Sequence, residues 1–250
     1  MTAEELIARA CPTIGEMGWA FYFTPETAAR GEKLGLDVFE FYFLGRGGVL
    51  GDVEWQVVAS AFGYFKPSVV EFMWNQGKTH LDPREAAREF LGACHDFGRQ
   101  HFSAVDALDG FCDAAELVVA AADATACPLF AGLAAEPLAE DLPARAMQLI
   151  TTLREFRGGV HLISVIAAGL RPLSAHYLRR PEMMAVFGWA EEDTPSVTDE
   201  DRAKLAIADE VTDSLVLPAY GVLDRAGRDA LAAGLDRMDA VLALAATPGA

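Results

Sequence analysis

Positive charge is scarce in this sequence. Lys and Arg total 20 against 37 Asp and Glu, a formal net charge of −17 over 250 residues. A field of that sign repels phosphate backbones and anionic lipid heads, so neither nucleic acid nor a membrane is an expected partner. Cysteine is sparse as well. Cys11, Cys94, Cys112 and Cys127 stand far apart with no CxxC pair. That excludes a disulfide scaffold, argues against a four-cysteine zinc site, and suits free thiols in a reducing cytoplasm. The N-terminus lacks the basic and apolar stretches of a secretory leader. No apolar run nears the roughly 20 residues that span a bilayer; the longest, Val160 to Leu170, reads as a buried helix. Nucleophile and nucleotide motifs are missing: there is no GxSxG, P-loop, GxGxxG or HExxH. Gly45-Arg46-Gly47-Gly48 is glycine-rich, but it follows a predicted helix rather than a strand and is no phosphate loop. Among the five histidines there is no HxxxH or CxxCH. His95 and His101 lie about 240° apart around one helix, so they share no face. No metal and no cofactor is expected.

What the chain does have is apolar mass, 52% of its residues, enough for a sizeable core. Helix signals dominate. Thr24-Pro25-Glu26 caps a helix predicted to run toward Phe43. Asp52 opens a short one through Phe62, and Pro67 another toward Asn75. Asp82-Pro83-Arg84-Glu85 reads as a capping box for a helix to about His101. A further helix covers Ala104 to Ala122. Breaks are expected at Cys127-Pro128 and Glu136-Pro137. Ala146, Leu149, Ile150, Leu153 and Phe156 repeat at helical spacing until Arg157-Gly158-Gly159, which reads as an interruption. Pro172 and Pro181 open short helices, Thr198 with Asp201 caps a longer one, and the last runs from about Asp224 to Leu244, with a frayed tail to Ala250. Short extended pieces are expected near Val49 and Val197. Residues 81–141 hold 3 basic and 12 acidic residues, the most acidic stretch, and read as a solvated helical connector between modules at 1–80 and 142–250. Phe23 to Phe62 and Leu170 to Val211 can be aligned loosely as a repeat.

Several motifs occur in a family-like order: Tyr22-Phe23-Thr24-Pro25-Glu26, Leu34-Gly35-Leu36, Phe43-Leu44-Gly45-Arg46, Ala61-Phe62-Gly63-Tyr64-Phe65-Lys66-Pro67, Leu153-Arg154-Glu155-Phe156-Arg157-Gly158-Gly159-Val160-His161, and Phe187-Gly188-Trp189. Over roughly residues 15–225 the chain resembles a widespread, largely uncharacterised actinobacterial family described as helix-turn-helix or winged-helix-like. The resemblance implies such a fold and carries almost no reaction chemistry. From Trp189 to Asp213 this chain is shorter and more acidic than the family pattern.

On that resemblance Pro67 to Lys78 would be the recognition helix. It offers Glu71, Phe72, Met73 and Trp74, with Lys78 only at its end. Base edges and phosphates call for Arg, Lys, Asn or Gln, so the helix reads as scaffold. Aromatics are concentrated instead: 14 of 24 lie between Trp19 and Trp74. They suit either a buried module interface or the walls of a pocket for a bulky, flat or greasy ligand. Tyr22, Tyr42, Phe43, Phe62, Tyr64, Phe65 and Trp74 are the wall candidates, with His176 and Trp189 from the other module. Arg46 and Arg157 are candidates to meet a ligand's carboxylate. His161, expected near a helix start after the glycines, either pins that kink or acts as acid or base with Glu155 as its orienter.

The sequence therefore predicts a mostly α protein of two degenerate winged-helix-like modules. Its expected role is cytoplasmic binding of an apolar or aromatic small molecule bearing a polar or anionic group. The alternatives are a cofactor-independent tailoring enzyme of secondary metabolism using His161, and a transcriptional regulator. Exposed apolar residues leave a homodimer open.

Overall fold

A computed structural model describes residues 1–245. They form twelve α-helices and three short 3-10 turns, with no strand among the described residues. The extended pieces expected near Val49 and Val197 are absent: Val49 sits in a 3-10 turn and Val197 in irregular chain. The expected fraying of the tail concerns residues outside the described range.

Helix α1 (Ala3–Met17) begins on a Thr2–Glu5 capping box and buries Leu6, Ile7, Ala10, Ile14 and Met17 along one side. The single helix expected from Pro25 to Phe43 is two, α2 (Pro25–Lys33) and α3 (Val38–Gly47). Gly35, at φ 79°, turns the chain through the left-handed region, and Asp37 with Glu40 caps the restart. Helices α4 (Trp55–Phe62) and α5 (Pro67–Lys78) flank a tight turn, Gly63 to Lys66, and α5 seats on α3.

Segment 81–141 is not a solvated connector. Helix α6 (Pro83–Phe102) packs between α3 and α9, and α7 (Leu108–Ala121) packs on α9 and α12. Phe90, Cys94 and Phe102 from α6, and Phe111, Cys112 and Val118 from α7, belong to the main core. The segment's acidity lies on the outer faces, where Asp96, Asp106, Asp109 and Asp113 are exposed. The expected break at Cys127-Pro128 is present: residues 122–127 are non-helical, and Pro128 then opens α8 (Pro128–Ala134), whose Leu129, Phe130 and Leu133 are buried.

Helix α9 (Leu142–Ala167) is the hub, touching α1, α6, α7, α8, α10 and α11. Arg157-Gly158-Gly159 does not break it, and His161 lies in its second half rather than at a start. Gly159 is there for space: a Cβ would meet the Cys127 sulfur at 2.9 Å. Helices α10 (Pro172–Arg179), α11 (Asp199–Gly221) and α12 (Arg225–Ala245) complete the chain, with α12 closing on α1 and α7. Pro181 opens a 3-10 turn, not an α-helix. The two stretches aligned as a repeat differ in element order: residues 24–62 hold three α-helices, whereas 170–211 hold α10, two 3-10 turns and half of α11. Among the described residues no single helix is long and apolar enough to cross a membrane.

Candidate functional site

Arg46 leaves the last turn of α3, where the helix dipole favours a cation. It crosses to α9 and grips Glu155 with two parallel bonds: Nε donates to Oε1 at 2.9 Å and Nη2 to Oε2 at 2.8 Å. Its Nη1 donates to the Tyr42 hydroxyl at 3.1 Å, and its guanidinium lies 4.4 Å from the centre of the Phe62 ring. Glu155 also accepts from the Tyr22 hydroxyl at 3.2 Å and from Arg154 at 3.0 Å. Only 5% of the Glu155 side chain and 14% of Arg46 is exposed, so the pair is nearly dehydrated. Burial alone would push the Glu155 carboxyl up, yet Arg46, Arg154 and the hydrogen bonds outweigh it and hold the carboxyl below its ordinary value. Burial drives the Tyr22 and Tyr42 phenols up, so both stay protonated. Two guanidiniums thus share one carboxylate, leaving one positive charge in excess inside an acidic protein.

Beside this cluster is a cavity of about 30 Å³, walled by Phe21, Phe90, Leu129 and Leu133 and reaching Cys94 and Thr151. It has room for about one water-sized group. Gly45 is the residue that lets α6 come this close, because a Cβ there would meet the Phe90 ring. The aromatics named from the sequence are mostly packed against one another rather than lining open space. Tyr42, Phe43, Phe62 and Phe65 form one set of ring contacts with centroids 4.9–5.9 Å apart. Trp74 is fully buried, and its indole N–H donates to the Val53 carbonyl at 3.0 Å.

Glu155 and His161 do not pair, which removes Glu155 as the orienter of His161. On a continuous helix their side chains point about 120° apart, Glu155 to α3 and His161 to α11. His161 Nδ1 lies 3.0 Å from the Thr212 hydroxyl and 3.7 Å from Asp209. Burial, helped by Arg179, lowers its pKa to about 4, so it is neutral near pH 7. Arg157 also faces α11: Nη2 donates to Asp213 at 2.8 Å. It therefore stands apart from Arg46 and cannot join it on one ligand carboxylate. Tyr64, His176 and Trp189 form a separate group over the α4–α5 turn.

Sequence reasoning missed Arg154 and the α6 and α8 walls. Arg154 adjoins Glu155, but a neighbour in sequence does not reveal which charges converge on a distant Arg46. On α5 the exposed side chains are Pro67, Ser68, Glu71, Phe72, Asn75 and Gln76, so the helix does present two amides of the kind that read base edges, which sequence reasoning passed over, while Lys78 is engaged by Asp52. Among the described residues no group of three His, Cys, Asp or Glu side chains could hold a metal ion.

A family model described as a helix-turn-helix family matches residues 7–248. No curated protein and no solved structure matches the chain.

Proposed function

The chain belongs to this helix-turn-helix family, and from that premise we propose that it is a small-molecule-binding member in which the helix-turn-helix serves as scaffold. The observation that supports the reading is a dehydrated Arg46–Glu155 pair in the wall of a small cavity, with Arg154 adding a second guanidinium on Glu155 from outside that wall. Such a wall suits an apolar or aromatic ligand whose carboxylate or carbonyl meets the guanidiniums while its body lies against the rings. Pockets for whole drug-sized ligands hold roughly 300–1,000 Å³. The cavity of about 30 Å³ admits a ligand's polar head, and its body requires aromatic side chains to move apart. A cytoplasmic setting is part of the proposal, since all four cysteines are free and buried.

Thermal unfolding of the full chain with a panel of aromatic and fatty carboxylates tests this. Saturable stabilisation by a carboxylate, absent with the matching methyl ester and weakened by Arg154→Gln, is the expected result. No stabilisation across the panel, together with a bare polypeptide mass in native mass spectrometry, overturns it.

The family match favours a second reading, a DNA-binding regulator. Its electrostatics are adverse: a −17 chain gains little from counterion release, and α5 exposes no free cation among the described residues. Fluorescence anisotropy with a mixed-sequence duplex at low salt separates the two. Binding there would replace the scaffold reading with the regulator.

A further inference from the structure

Between α10 and α11 the chain has no α-helix, only the 3-10 turns Pro181–Met183 and Glu191–Asp193. This strap lies across the α4–α5 turn. The Lys66 N–H donates to the Phe187 carbonyl at 2.9 Å, and the Trp189 indole N–H donates to the Tyr64 carbonyl at 2.8 Å. The Lys66 ammonium meets Asp193 at 2.6 Å. Long connections without regular structure in a compact chain are commonly functional.

Beneath the strap the rings form a ladder. Phe65 stacks on Phe187 at 4.2 Å, Phe187 on His176 at 4.1 Å, and His176 lies 5.9 Å from Tyr64. His176 is only 8% exposed. Its Nε2 and the Tyr64 hydroxyl are both buried, and among the described residues no protein group lies within hydrogen-bonding distance of either. Buried polar atoms are almost always paired, because an unpaired one forfeits its bonds to water. Among the described residues the Arg157 Nε is also buried without a partner, but only here do two such atoms sit on adjacent rings, and that pair marks a place prepared for a partner.

We propose that this seam is a binding site for a phenolic ring, anchored by Tyr64 and His176 and covered by the strap through Phe187. The chemistry follows from the two anchors. Burial keeps the Tyr64 phenol protonated, so it donates. Burial also lowers the His176 pKa, so its imidazole is neutral and Nε2 can accept. A ligand hydroxyl can accept from the first or donate to the second. The flanking rings supply faces for an aromatic body. Phe187 fills the ladder with a ring that brings no polar atom, so it holds the site closed without satisfying either anchor. The two anchors are not part of the Arg46 cluster, which the ladder meets through the Phe65 ring packed on Tyr42 and Phe62, and the proposal does not depend on the reading given for that cluster.

The test uses the full chain and a matched pair of probes, phenol and benzene. Binding is followed by NMR at the Trp189 indole and the His176 ring. Phenol is expected to bind saturably and at least about tenfold more tightly than benzene. Phe187→Ala should tighten phenol, and Tyr64→Phe should narrow the difference between the two probes, leaving phenol only the bond to His176. Without probe, Tyr64→Phe should raise Tm by about 2–4 °C, because it removes an unpaired hydroxyl. Equal binding of phenol and benzene by the unmodified chain would reduce the seam to an apolar gap and overturn the proposal. So would no binding of phenol, to the unmodified chain or to Phe187→Ala. A Tm lowered by Tyr64→Phe would overturn it too, since the hydroxyl would then already have a partner.

Discussion

Glu155 is held by three donors besides Arg46's second nitrogen, and that density decides what its loss does. Glu155→Gln leaves two guanidiniums facing one neutral amide in a nearly dehydrated site, and breaking a buried pair from one side costs about 3–5 kcal/mol. Arg46→Met leaves the carboxylate with Arg154 and the Tyr22 hydroxyl and should cost less. The double variant Arg46→Met with Glu155→Leu removes both charges, and Arg154, whose side chain is 28% exposed, can turn to solvent. Chemical denaturation should therefore find the double variant more stable than either single one; strictly additive losses would contradict a coupled cluster. His161 makes a second claim at this scale. Its folded pKa of about 4 lies below the unfolded value near 6.5. The unfolded chain thus binds more protons between those values, and stability falls as pH drops through that window. The full shift corresponds to roughly 3 kcal/mol. His95 and His176 are shifted in the same direction by burial and add to the trend. NMR titration should show the His161 ring unprotonated at pH 6, and replacing it with Gln should flatten the acid limb of the stability curve.

At the scale of the element, the two glycines in the middle of α9 have opposite jobs. Gly158 is exposed, helical and has nothing within 4 Å of an added Cβ. Gly158→Ala should therefore stabilise by about 0.5–1 kcal/mol through helix propensity and lost chain entropy. Gly159 faces the Cys127 sulfur at 2.9 Å. Gly159→Ala should instead destabilise by about 1–3 kcal/mol as α8 is pushed away. Urea midpoints of the two variants moving in opposite directions would fit a continuous α9. Both falling would fit a chain that needs flexibility there. The pair also explains why the sequence pattern misleads: two adjacent glycines look like a break, but one serves as a contact surface and the other, facing solvent, is carried along by the buried residues before and after it on α9. The missed α2–α3 interruption has the converse lesson. Leu34-Gly35-Leu36-Asp37 contains a C-terminal glycine and an N-cap in the right order, so that break was legible.

At the scale of the whole molecule, the acidic middle segment and α1 together join the two ends, α1 by packing directly on α9, α11 and α12. Helix α6 links α3 to α9 and α7 links α9 to α12, so the main core draws on the chain from Leu6 to Val160 and from Val216 to Met238, while Val165, Leu170, Ala175 and Ala208 form a smaller second cluster. Fragments 1–80 and 142–250, expressed separately, should therefore give no dispersed NMR spectrum and no cooperative unfolding, whereas the full chain should melt in one transition. A folded fragment with its own sharp transition would restore the modular division expected from charge.

The sequence by itself determined the mostly helical class, the starts of α2, α5, α6, α10, α11 and α12, and the adverse charge for DNA. Those depend on local periodicity, capping chemistry and a count of charges, all of which are written along the chain. It also marked Arg46, Glu155 and the tyrosines as residues that matter. Only the tertiary structure decided who meets whom. Glu155 and His161 look like partners at six residues' distance, but a helix turns them to different neighbours, α3 and α11. Arg46 and Glu155, 109 residues apart, become the closest of pairs. The pairing of distant groups depends on how helices cross and which side chains interdigitate, a property of packing between elements that no spacing within one of them records.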